Sequence, residues 1–294
     1  MIFGAGGTVG REIVLLGGSR RIPVVGLRRD EVDICDPAAI ARALDHVRPR
    51  LIVNAAGYTA VDRAESEPQA AFAGNAVGPG LLAAAAERCG VPLVHFSTDY
   101  VFDGGKPSPY LEGDPVCPVS VYGASKAQGE ERVQEATARH VILRTSWVFG
   151  ASGHNFLKTI MRLARERDEL RVVDDQHGCP TCARDIAAAV FAVDGALESG
   201  ASPWGLYHFA GTGSTTWHGF AAAIVEAQSA WTGRSPIVTA IPTALYPTAA
   251  RRPLNSRLDS SLFAATFGYK AVDWHSRTTE IVNELAASEG GVSR

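Results

Sequence analysis

The chain has 294 residues, 28 Lys and Arg against 31 Asp and Glu, a net charge of −3, and 46% apolar and 20% charged residues. This balance gives no general attraction to nucleic acid or to an anionic membrane surface, and the length suits one large or two modest globular domains with ample core. No apolar run approaches the ~18–20 residues of a membrane span, and the N-terminus lacks a signal peptide's basic-then-apolar layout, so a cytoplasmic protein with no membrane and no nucleic-acid partner is expected. Five cysteines are too few and too scattered for a disulfide framework. Cys179-Pro180-Thr181-Cys182 is a CxxC, but no second Cys or His pair stands at metal spacing, and no metal is expected.

The chain opens Ile2-Phe3, then Gly4-Ala5-Gly6-Gly7-Thr8-Val9-Gly10, then an apolar helical pattern. Only Ile2 and Phe3 remain of the first strand before the turn, so either that strand is very brief or the natural start lies a few residues upstream. Gly4, Gly7 and Gly10 permit a tight turn, close approach of backbone to a pyrophosphate, and tight helix–strand packing, with the helix N-terminus and its Thr8 and Val9 facing the phosphates. The apolar run Pro23–Leu27 reads as the second strand and ends at Arg28. Dinucleotide folds commonly carry an acid near this point for the ribose hydroxyls, whereas an arginine favours a 2′-phosphate, which points to NADPH with NADH as the alternate. Asp36 and Pro37 then form an N-cap and first-turn pair for a helix to about Val47.

Leu51–Asn54 reads as a buried strand leaving through Ala55, Ala56 and Gly57, small residues that let a cofactor ring lie against the backbone. A polar loop leads into a long alanine-rich helix through Asn75 to about Cys89. The apolar run Val91–Phe96 is a strand that ends in the polar tip Ser97-Thr98-Asp99-Tyr100. The next helical pattern carries Tyr122 and Lys126, four residues apart and so on one face, about 6 Å apart along the axis. A tyrosine beside a fixed ammonium is what protonation of a carbonyl needs, because the cation favours phenolate and lowers a pKa otherwise near ~10. In isolation Tyr-x-x-x-Lys is a common solvated pair; an upstream nucleotide turn and Thr98 on the neighbouring strand end give it weight. A further strand, Val141–Thr145, ends at Ser146-Trp147. His95, mid-strand, reads as a satisfied interior histidine, and Phe102 as packing beneath its loop.

Strand and helix patterns alternate from residue 1, which predicts an α/β, Rossmann-type doubly wound parallel sheet with ligands at the carboxyl ends of the strands. Residues 1–150 form the dinucleotide-binding domain in this reading, with 184–212 rejoining it. Residues 151–183 and 213–294 form a smaller mixed α/β substrate-binding region, with a short strand at Leu170–Val173, a loop over Asp174–Thr181, an irregular basic run at Tyr246–Ser256 and a last helix over about His275–Ala287.

Together these motifs resemble the extended short-chain dehydrogenase/reductases and, within them, the dTDP-4-dehydrorhamnose reductase family. The resemblance rests on the glycine turn, Asn54–Asp62, Ser97–Phe102, Tyr122–Lys126, Arg144–Val148, Asp175–Thr181, Tyr246-Pro247-Thr248 and Arg252–Ser256. It implies reduction of the C4 ketone of a dTDP-linked 4-keto-6-deoxy sugar, dTDP-4-dehydro-6-deoxy-L-mannose, to dTDP-L-rhamnose. It further implies Tyr122 as proton donor, Lys126 as the group that lowers the phenol pKa and binds the nicotinamide ribose, and Thr98 as hydrogen-bond donor to the developing alkoxide. Asp33 and Ile34 match positions at the adenine, Ala55, Ala56, Gly57 and Asn75 the cofactor side, and Thr59, Val61, Asp99, Tyr100, Trp147 and Arg252 the sugar-nucleotide side. For Arg252 the motive is a diphosphate, which a forked guanidinium suits. Some members are metal-bridged homodimers; Glu12 matches one bridging position, but Arg184 stands where another acid is expected. Two rival readings are a nucleotide-sugar epimerase or dehydratase and a non-catalytic regulatory subunit. Tyr100 replaces the glutamate a dehydratase needs, and a binding-only module has no chemical need for Thr98, Tyr122 and Lys126 together.

Overall fold

A computed structural model describes residues 1–290. Its main sheet contains β1 (Ile2–Phe3), β2 (Gly26–Leu27), β3 (Ile52–Asn54), β4 (Leu93–Thr98) and β5 (His140–Thr145). The sixth strand, Gly205–His208, lies parallel beside β5, and the order is β2-β1-β3-β4-β5 followed by that strand, all parallel. Successive side chains of a strand face opposite ways, and here both directions are apolar. Ile2, Val53, Val94, Val141 and Leu143 enter one core, and Phe3, Ile52, Leu93 and Ile142 the other. A sheet buried on both faces needs helices on both. α1 (Thr8–Ser19) packs on one, α2 (Pro37–Val47) on the other, and Asp36 caps α2 by accepting from the Ala38 and Ala39 amides at 2.8 and 3.0 Å.

The segment after β3 forms α3 (Val61–Ala64), α4 (Pro68–Phe72) and α5 (Gly78–Cys89). The long helix read from the sequence is interrupted by a π turn over Ala73–Val77. Its physical cause lies at Asn75. This buried side chain donates to the Tyr58 carbonyl and the Ser125 hydroxyl and accepts from the Tyr58 amide, while the Asn75 backbone carbonyl passes so close to Gly129 that a Cβ there would lie 2.0 Å away. The next helix, α6 (Val121–Ala136), is pinned at its start: the Ser120 hydroxyl accepts from the Gly123 amide at 3.1 Å and Glu65 from the Val121 amide at 2.9 Å.

The second region begins with β6 (Val148–Phe149), α7 (Phe156–Glu166) and β7 (Glu169–Val173). Within the stretch read as a loop, β8 (His177–Gly178) and β9 (Thr181–Cys182) pair with distant partners through two residue pairs each, a signal too short for any periodicity. Then come α8 (Ala183–Glu198), β10 (Gly205–His208, the sixth strand above), β11 (Thr215–Thr216), α9 (Trp217–Thr232), β12 (Ile237–Ile241), α10 (Ser261–Phe267) and α11 (Trp274–Gly290). β12 lies parallel to β7, and α7, α9 and α11 close a separate core of Phe149, Leu157, Ile160, Phe220, Ile224, Ile281 and Val282. Arg184 reaches Glu12 at 3.6 Å and Glu280 at 2.7 Å and also pairs with Glu284, so a guanidinium occupies the middle of this carboxylate cluster. No helix among the described residues is long and apolar enough to cross a membrane.

Candidate active site

The chain leaves β1 towards β2 on one side and returns through β3 on the other, so a crevice opens between the β1 and β3 ends, where open α/β sheets take their ligands. Its floor is glycine for a steric reason. A Cβ on Gly4, whose φ is +89°, would sit 2.5 Å from the Ala55 carbonyl carbon, and one on Gly10 would sit 2.3 Å from the Gly4 oxygen. Gly7, the N-cap of α1, offers no side-chain bond, so the first amides, at Thr8 and Val9, face outward without a cap. Arg28 is exposed, and its aliphatic stem lies over Gly6, 3.8 Å from where a Cβ would be. Asp33 accepts from the Cys35 amide at 2.9 Å and keeps an exposed carboxylate. Ile34, next in the chain, is 5% exposed, and its side chain packs against Gly78 in the core.

One strand over, β4 delivers Thr98 to its tip and Asp99 and Tyr100 just beyond. The Thr98 hydroxyl donates to Asp99 Oδ1 at 3.0 Å and accepts from the Tyr100 amide at 3.2 Å. α6 brings Tyr122 against this tip. Gly123 allows the approach, since a Cβ there would lie 2.2 Å from the Tyr100 oxygen, and the Tyr100 and Tyr122 rings meet edge to face at 5.7 Å. Burial pushes the Tyr122 phenol up to about 12; a hydrogen bond with Thr98 opposes this and the Asp99 charge adds to it.

Burial thus works against the acidified phenol read from the Tyr-x-x-x-Lys spacing. Lys126 shares the helix face but turns under the interior strand β4, where Nζ donates to the Phe96 carbonyl at 2.5 Å. Burial lowers its own pKa from 10.5 to about 8, against the pull of Glu130. Helical spacing set the face and β4 set the direction. Behind it, Glu130 and Arg144 form a two-pronged ion pair at 2.8 and 2.7 Å, both side chains at most 5% exposed. His95 is only half satisfied: Nδ1 meets Asn54 at 3.0 Å and Nε2 has no partner among the described residues. Asp99 is buried, which raises its pKa to about 7; Oδ2 lacks a hydrogen bond of normal geometry, although the nearby Ser256 hydroxyl draws the value partly back.

The sugar-side residues come from several elements. Val61 opens α3, exposed Thr59 precedes it, and Trp147 follows β5. Arg252 lies in the irregular 246–256 run, but it is already engaged, donating to Asp62 at 3.0 and 2.8 Å. Asp62 and Ser256 are neighbours that sequence reasoning did not assign. Both lie inside the motifs that carried the resemblance, which was the available signal. Phe102 is fully buried and stacked on Tyr110 at 4.0 Å, a packing residue as read.

A glycine-floored crevice at the switch point of a parallel sheet, with a Thr, Tyr and Lys set on the adjoining strand and helix, defines an oxidoreductase of the extended short-chain dehydrogenase/reductase class. The family model described as RmlD substrate binding domain matches residues 1–287. A dTDP-4-dehydrorhamnose reductase from Burkholderia thailandensis is 46% identical, covering 97% of this chain and 98% of its own, and one from Escherichia coli is 41% identical over 97% of each. The crystal structure of such a reductase from Clostridium acetobutylicum superposes with a TM-score of 0.89 at 35% identity, covering 97% of this chain and 98% of the other. One from Bacillus anthracis, in complex with NADP, gives 0.89 at 32% identity, covering 96% and 98%. The chain belongs to the dTDP-4-dehydrorhamnose reductase family.

Proposed function

We propose that this enzyme reduces the C4 ketone of dTDP-4-dehydro-6-deoxy-L-mannose to dTDP-L-rhamnose with NADPH, Tyr122 giving the proton. The observation that carries the reading is the seating of Tyr122 against the tip of β4, where its ring meets Tyr100 two residues beyond Thr98, beside the crevice whose glycines leave no room for a side chain. The residues suit the dinucleotide. Uncapped amides at Thr8 and Val9 take the diphosphate, Arg28 the 2′-phosphate, Asp33 and the Ile34 backbone the adenine end, and Ala55, Ala56, Gly57 and Asn75 the inner end. Bound there, it supplies hydride to C4.

Tyr122 Oη holds its proton firmly in the ligand-free site, and an alkoxide is a stronger base than a phenolate, so transfer to the C4 oxygen is downhill once charge develops. Thr98 donates a hydrogen bond to that oxygen, a bond stronger in the transition state than in the ground state, and so acts on rate. Lys126, within its helical turn, offers the positive charge that stabilises the phenolate left behind and a donor for the ribose. Asp99, Tyr100, Thr59, Val61 and Trp147 bound the sugar-nucleotide, and Arg252, oriented by Asp62, faces the diphosphate. Tyr122→Phe tests the assignment. NADPH affinity by fluorescence titration is expected within about twofold of the parent, with turnover down by about 10²–10⁴; near-parent turnover means the proton comes from another group.

A further inference from the structure

Trp147 is one of three non-glycine residues at positive φ among the described residues, at +47°. The others, Arg21 and Arg48, are polar and exposed or at a helix C-cap, whereas a bulky aromatic is an outlier there unless its surroundings hold it. The surroundings are specific. The Trp147 indole lies face to face on Trp217, with centroids 3.5 Å apart and planes 7° from parallel. It also presses on β8, where a Cβ on Gly178 would lie 2.3 Å from the ring.

Trp217 is itself fixed from behind. As the first residue of α9 it follows the capping Thr216, which accepts from the Gly219 amide at 3.0 Å. Its Nε1 donates to Gln176 at 3.2 Å, Gln176 is 4% exposed and donates to Thr243 at 2.9 Å, and Phe156 packs on the ring at 4.6 Å. Trp217 is anchored by these contacts, and Trp147 is caught between it and β8, where the Nε1 edge of its indole lies 2.6 Å from the place a Cβ on Gly178 would take.

We propose that Trp217 is a positioning residue for the sugar: its stack holds Trp147 on a left-handed backbone and so presents a prearranged aromatic wall to the substrate. The proposal rests on the reading of Trp147 as a sugar-side residue. Without the stack the indole has room to turn and the backbone to relax, and the ordering cost moves into substrate binding. Loss of a contact made equally in ground and transition states raises KM and leaves kcat unchanged.

Four full-length proteins test this with NADPH and the enzymatically prepared keto-sugar: Trp217→Leu, Trp217→Phe, Trp147→Leu and the Leu/Leu double variant. Stacked aromatic pairs are worth enough for a KM rise of about 3–10-fold in Trp217→Leu. kcat and NADPH affinity stay within about twofold, the far-ultraviolet exciton couplet of the paired indoles disappears, and Trp217→Phe recovers most of the KM. The double variant is no worse than Trp147→Leu, because the first residue acts through the second. An unchanged KM in Trp217→Leu with the couplet lost overturns the proposal, as does additivity in the double variant or a parent without the couplet. If Trp147→Leu itself leaves kcat/KM unchanged, the sugar-side reading of Trp147 has failed, an outcome distinct from impairment in Trp147→Leu alone. Thermal melts identify a misfolded Trp217→Leu, and Trp217→Phe combined with Trp147→Leu then carries the coupling measurement.

Discussion

Replacing Lys126 with methionine is expected to remove turnover and, near neutral pH, to leave the ligand-free protein at least as stable as the parent. The ammonium is 6% exposed, and burial lowers its pKa from 10.5 to about 8, with Glu130 opposing. The folded state binds this proton less tightly than the unfolded chain. At ~1.4 kcal/mol per pH unit the gap costs the native state about 3 kcal/mol at every pH below about 8. Methionine removes that penalty and forfeits the charge-assisted bond to the Phe96 carbonyl, ~1.5–3 kcal/mol, which leaves a net gain of about 0–1.5 kcal/mol. Between about pH 8 and about pH 10.5 the unfolded chain carries the proton and the folded protein does not, so the parent's stability rises with pH relative to the variant. Urea unfolding followed by circular dichroism at several pH values measures the difference, in which other titrating groups cancel. The variant's advantage is expected to shrink by about 3 kcal/mol across that window. Parallel stability–pH curves for the two proteins would show that Lys126 is not desolvated as its position under β4 requires.

Two other perturbations probe the frame around the site. Glu130→Gln leaves the Arg144 guanidinium buried without its carboxylate and should lower unfolding stability by about 3–5 kcal/mol; replacing both residues with Leu and Met should cost clearly less, and equal losses would mean the pair is not coupled. Arg28→Asp should raise the ratio of kcat/KM with NADH to that with NADPH, and an unchanged ratio would remove Arg28 from 2′-phosphate recognition.

Much of the dinucleotide half was legible in the residues. Apolar runs broken at regular intervals by Gly, Asn or Ser predict parallel strands with polar tips, and the six-stranded sheet follows that rhythm, including the return of Gly205–His208 beside β5. Asp36-Pro37 marked the start of α2 because capping is local chemistry. The second region was less legible: β8, β9 and β11 are two residues each, and such pairings have no period to read. The Asn75 π turn was hidden for a related reason, since an alanine-rich stretch reads as continuous helix whether or not a neighbouring backbone needs space.

What the sequence by itself determined was which groups share a face or a strand end: Tyr122 with Lys126, Thr98 with Asp99, and the glycines of the first turn, because helical and strand periods are fixed by backbone geometry. Only the tertiary structure decided where those groups point and what charge they carry. Lys126 turns to Phe96, Tyr122 keeps a firmly held proton, Arg252 meets Asp62, and Trp147 stands on Trp217. Those outcomes depend on desolvation and on partners far away along the chain, 190 residues for the Arg252–Asp62 pair, and neither is a property of local spacing.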